Sequence, residues 1–129
     1  MKTLKTIFGA AALSTFLMSA IAGDKVITKE GKTTIVNTQT IGSDIEGYAG
    51  PTPVKIYIEK GKITKVEALK NLEGPKYMAK AKKVLAGYEG KTVADAKKMK
   101  VDAVTGATYT SDALVENVRK GLEYYEKNK

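Results

Sequence analysis

The sequence predicts an α+β fold: a small antiparallel sheet with helices packed on it, in one domain. Three observations predict it. Short runs of β-branched residues come in pairs around glycine-containing turns. Helical patterns follow them rather than alternating with them, so no repeated βαβ unit is present. The chain has 129 residues, room for one domain.

The elements follow in chain order. Residues 1–22 have the form of a signal peptide. Lys2 and Lys5 give a basic start, 6–18 is largely apolar and uncharged, and Ala20-Ile21-Ala22 is a small-x-small cleavage site. The apolar run is short for a membrane span. Cleavage after Ala22 is expected, with an uncleaved anchor as the alternative. The mature domain is then 23–129. Val26-Ile27 and Thr33 to Val36, around Glu30-Gly31-Lys32, predict a hairpin. Residues 42–53, GSDIEGYAGPTP, are turn-rich. Val54, Ile56 and Ile58 alternate with Lys55, Tyr57 and Glu59, the pattern of a half-buried strand. Lys60-Gly61 turns the chain into a second strand over 62–69. Ile63 and Val66 there are out of phase, which predicts a bulge or burial on both faces.

Pro75 suits the first turn of a helix. Tyr77, Met78, Ala81, Val84 and Leu85 mark its buried face, and Gly87 ends it. Thr92-x-x-Asp95 resembles a capping box and opens a short helix to Met99. Residues 101–104 read as a short extended piece. The last helix is expected to begin near Ser111 or Asp112, with Leu114, Val118, Leu122 and Tyr125 as its buried stripe.

Composition excludes several functions. The chain has no cysteine and no histidine. Disulfides, thiol nucleophiles, cysteine-ligated iron–sulfur clusters and thioether-linked haem are therefore impossible. A histidine general base and a typical zinc site are absent as well. An exported chain without disulfides points to a bacterial envelope. The net charge is +8, and loss of Lys2 and Lys5 leaves +6. Arg119 is the only arginine, which argues against nucleic acid, whose readers use the planar guanidinium. The simple reading of the lysines is solubility and weak attraction to an anionic surface.

Two tempting motifs fail. Gly90-Lys91-Thr92 lacks the glycine that a phosphate loop needs five residues before Gly90, where Leu85 stands. Asp102 has only Asp95 and Asp112 near it, and both read as helix starts. A two-carboxylate hydrolase is thus a poor reading. The stretch VDAVTGATYTSDAL remains, with Thr105, Thr108, Thr110 and Ser111 crowded into seven residues. It reads either as a strand-to-helix turn, whose hydroxyls satisfy free helix N–H groups, or as an anion site at a helix start. Gly106 suits both.

This stretch resembles the signature of the FMN-binding domain family, whose members include flavin-bearing components of the sodium-pumping NADH:quinone oxidoreductase and of the Rnf complex. The matching residues are Asp102, Thr105-Gly106-Ala107-Thr108 and Thr110-Ser111. Gly47-Tyr48, Gly50-Pro51, the strand pair VKIYIEKGKITKV and the final helix are similar too. The resemblance covers about 47–125. It implies FMN held covalently, its phosphate esterified to Thr108 by a separate flavin transferase that uses FAD and magnesium. It also implies that Asp102, Thr105, Gly106 and Ala107, with Thr110 and Ser111, form the recognition turn and phosphate surround. Gly47, Tyr48, Gly50 and Pro51 would line the ring, and Tyr48 or Tyr109 could pack on it.

The function expected is an exported electron carrier, a redox shuttle in the bacterial envelope rather than a stand-alone enzyme. Its partners would be the flavin transferase and an electron donor and acceptor, with a membrane electron-transfer complex as one candidate. The alternative is a noncovalent envelope module for an anionic ligand or cell-wall polymer.

Overall fold

The computed structural model describes residues 25–129. The leader and its cleavage site lie outside the described residues. Strands β1 (Ile27–Glu30) and β2 (Thr33–Asn37) form the expected hairpin, with Ile27 opposite Val36 and Glu30 opposite Thr33. Strands β3 (Val54–Glu59) and β4 (Lys62–Ala68) form a second hairpin. Its turn residues Lys60 and Gly61 have φ of 53° and 77°. Positive φ at both positions matches the twist of the strands it joins. β3 also pairs antiparallel with β2, so the sheet runs β1-β2-β3-β4.

The phase slip in β4 is a bulge. Tyr57 faces Lys65 and Ile58 faces Ile63, which leaves Thr64 as the extra residue. The slip brings Ile63 and Val66 onto one buried face. Val36, Val54, Ile56 and Ile58 share the core with them.

Four described helices follow: α1 (Pro75–Ala81), α2 (Lys83–Ala86), α3 (Val93–Lys98) and α4 (Thr108–Asn128). The first predicted helix is thus two pieces, separated at Lys82. Met78, Ala81, Val84 and Leu85 are buried as expected. Tyr77 is not: it flanks this stripe and stays 49% exposed. α3 starts as predicted, with Thr92 Oγ1 accepting from the Asp95 amide at 3.1 Å. Residues 101–104 join no strand.

α4 begins at Thr108, earlier than Ser111 or Asp112. No side chain caps it, and the first intrahelical bond runs from the Ser111 amide to the Ala107 carbonyl, 2.9 Å. Leu114, Val118 and Leu122 are buried in the core, and Tyr125, partly buried, packs against it. Two features fix how closely α4 lies on it. A β-carbon on Gly121 would stand 2.6 Å from Ile56 Cδ1, so only glycine lets the backbone approach. Asn117, fully buried, accepts from the Thr38 hydroxyl at 2.8 Å and donates to the Ala113 carbonyl at 2.9 Å and to Thr52 Oγ1 at 3.3 Å. These bonds tie the helix to both ends of the long β2–β3 connection. That connection carries Gly47 and Gly50.

Candidate functional site

The site forms where the β2–β3 connection, α1 and the start of α4 meet. Gly47 to Gly50 is a tight turn, closed by the Gly47 amide donating to the Gly50 carbonyl at 2.8 Å. Gly50 has φ of 154°, a conformation that side chains disfavour. The turn points its remaining amides at Glu73, just before α1. Glu73 accepts from the Tyr48 amide at 2.8 Å and the Ala49 amide at 2.6 Å. From the other side, the Thr110 hydroxyl donates to the same carboxylate at 2.5 Å.

Glu73 is only 6% exposed, so its charge must be satisfied inside the protein. Burial pushes its carboxyl up. The Thr110 hydroxyl and the Ala49, Tyr48 and Gly50 amides outweigh that and hold it below the ordinary carboxylate value. It is therefore an ionised clamp between the turn and α4. Gly47 is required for the clamp: a β-carbon there would lie 2.5 Å from Glu73 Oε1.

The clamp shapes an open cleft of about 320 Å³, lined by Tyr48, Tyr77, Gly106, Ala107, Thr108, Tyr109 and Thr110. This is near the lower end of the range for small-molecule sites. Tyr48 and Tyr109 are 79% and 68% exposed, large aromatic surfaces held toward solvent. Their ring centroids lie 6.3 Å apart at 40°. Placing a third ring between them needs about 7 Å, two carbon contact distances, so they stand as a pair that must open to admit one.

The four clustered hydroxyls have different fates. Thr110 is 2% exposed and bonded to Glu73. It sits in the first turn of α4, and its hydroxyl is spent on Glu73 rather than on a free helix N–H group. Ser111 is fully buried. Its hydroxyl donates to the Ala107 carbonyl at 2.7 Å and accepts from the Val104 amide at 3.0 Å, which pins the turn before α4. Thr105 is exposed but does not line the cleft. Thr108, the first helical residue, is exposed and lines it. The glycine before it, Gly106, has φ of 86° and bends the chain into the helix.

The remaining expected residues are less central. Asp102 is exposed and makes no hydrogen bond or ion pair among the described residues. Gly47 and Gly50 build the turn without lining the cleft. Pro51 lines a separate hollow with Gln39, Ser43, Pro53, Lys70, Asn71 and Leu72.

Two residues escaped the sequence reading. Glu73 is one: its partners lie 24 to 37 positions away. The only local signal is an acidic residue beside Gly74-Pro75, in a turn with no role of its own. Tyr77 is the other, concealed by its place beside a buried stripe.

The residues present suit a flavin mononucleotide. Aromatic side chains supply surface for a planar ring, the cleft is open, and an exposed hydroxyl stands at its edge beside a glycine bend. A family profile described as the FMN-binding domain matches residues 47–123. That span holds the turn, the clamp, the cleft and most of α4. Comparison with curated proteins returns no match.

Proposed function

The chain belongs to the FMN-binding domain family, and from that premise we propose that it is an exported electron carrier whose FMN is esterified to Thr108. One observation carries the choice of residue. Of the hydroxyls in the motif, Thr110 and Ser111 are buried and engaged internally, whereas Thr108 is exposed on the cleft. Attachment would be a phosphoryl transfer from FAD. The Thr108 oxygen bonds to the phosphorus on the riboflavin side, the pyrophosphate P–O bond breaks, AMP leaves, and the hydroxyl proton passes to a base. Among the described residues the Thr108 hydroxyl has no hydrogen-bonded base, so base and magnesium belong to the transferase.

This chain's own residues then have simpler duties. Tyr48, Tyr77 and Tyr109 offer apolar walls for the ring. Glu73 keeps the Tyr48 turn and α4 at fixed separation. The start of α4 presents open N–H groups toward an anion on its first residue. When bound, FMN supplies one- and two-electron chemistry to a protein without the usual redox-metal ligands. Outside the cytoplasm a dissociable cofactor would be lost, and a covalent tether prevents that. Removal of residues 1–22, an electron donor and an acceptor complete the proposal.

The test is co-expression with a flavin transferase. The protein should be yellow, stay yellow after denaturation and gel filtration, and gain the mass of one FMN less a water at Thr108. Thr108→Val keeps the branched shape and removes the hydroxyl, and should be colourless. A wild type that stays colourless beside an active transferase would overturn the reading in favour of a noncovalent envelope module for an anionic ligand.

A further inference from the structure

Lys80 lies in the last turn of α1, which packs on α4. Its side chain reaches across to the motif: a β-carbon built on Gly106 would stand 3.3 Å from Lys80 Nζ. Lys80 is half-buried and makes no ion pair or hydrogen bond among the described residues. No acidic residue lies in the first turn of α4. The buried carboxylate of Glu73 is already occupied by the Tyr48 and Ala49 amides and the Thr110 hydroxyl. A half-buried cation is thus held over the glycine bend without a counter-charge. Gly106 and Thr108 are two residues apart, at most about 7.6 Å between α-carbons. A phosphodiester on the Thr108 oxygen adds its own length, and the lysine stem is flexible.

We propose that Lys80 is the positioning cation for the flavin phosphate, pairing with the phosphodiester on Thr108 and favouring a phosphorylated flavin at that place. The proposal rests on the reading of Thr108 as the attachment site. Lys80 acts by charge and reach, and the bond-making chemistry stays with the transferase. Gly106 contributes by leaving room: any side chain there would press on the lysine tip.

The experiment compares wild type, Lys80→Met and Lys80→Arg, each made with and without the transferase. Two quantities are read: the initial rate of loading from FAD at limiting transferase, and the rise in melting temperature on loading. The unloaded forms should melt within about 2 °C of one another, since Lys80 has no partner to lose. Loading should raise the melting temperature of Lys80→Met by about 4–8 °C less than that of wild type, the shift one charge pair produces in a small domain. Its loading rate should fall several-fold, and Lys80→Arg should recover most of both. A merely structural lysine would lower loaded and unloaded forms equally. If Lys80→Met shows the wild-type rate and increment, the inference is overturned. If wild type takes up no flavin at all, the Thr108 reading fails instead. Should Lys80→Met not accumulate, Lys80→Gln carries the same comparison.

Discussion

Replacing Glu73 by glutamine tests the clamp directly. Both carboxylate oxygens accept: Oε1 from the Tyr48 amide and the Thr110 hydroxyl, Oε2 from the Ala49 amide. Glutamine keeps one oxygen. Its NH2 group must face a former donor, so at least one buried bond becomes a donor-to-donor contact. A hydrogen bond to a charged group is worth about 1.5–3 kcal/mol. Losing one, and weakening the rest with the charge, should cost about 2–4 kcal/mol. At about 4–8 °C per kcal/mol, that is a fall of at least roughly 8 °C in melting temperature, read by circular dichroism. The pH dependence has a definite sign. The folded carboxyl lies below its ordinary value, so its stabilisation is full above the unfolded value, about 4.3. It is lost as pH falls through the folded value. Wild type and Glu73→Gln should therefore converge in stability on acidification from about pH 5 downward. A variant melting within about 2 °C of wild type at neutral pH, or a gap that does not narrow in acid, would refute the reasoning.

Three further outcomes follow from the same geometry. Thr110→Val removes one of the clamp bonds inside the helix and should cost about 1–3 kcal/mol by urea denaturation, yet the protein should still become yellow with the transferase. Gly47→Ala forces a β-carbon against Glu73 Oε1; about 1–3 kcal/mol of destabilisation is expected, visible as a lower urea midpoint. Asp102→Ala, at an exposed and unpartnered position, should leave stability within about 0.5 kcal/mol while slowing loading at limiting transferase, and unchanged loading would make Asp102 only a surface charge.

Much of the fold was legible because its signals are local. The strand pairs followed from alternation and turn glycines, and the β4 bulge from the phase slip between Ile63 and Val66. The α3 cap was readable at three-residue spacing. What failed depended on long-range contacts. Thr108, Tyr109 and Thr110 are weak helix formers, and Ser111 and Asp112 are good capping types, so a local reading starts the helix too late. In the fold, Ser111 ties back to Ala107 and Val104, and Thr110 is anchored by Glu73, which holds the extra turn. Tyr77 sits one residue from Met78, where a helical stripe has no sharp edge. Glu73 was illegible, since its meaning arises only when three distant segments converge. The motif residues were identifiable, but their division into exposed and engaged hydroxyls needed the three-dimensional arrangement.

The clamp also bears on what a redox cofactor asks of its surroundings. A ring that gains and loses electrons changes its charge, and mobile walls would have to rearrange at each change. Here the turn bearing Tyr48 and the helix bearing Tyr109 are joined through one buried carboxylate. Their backbones are fixed by the clamp, so a flavin held at the exposed rings would meet a frame with little to reorganise. A low reorganisation cost would then come from Glu73, a residue that lines no part of the cleft.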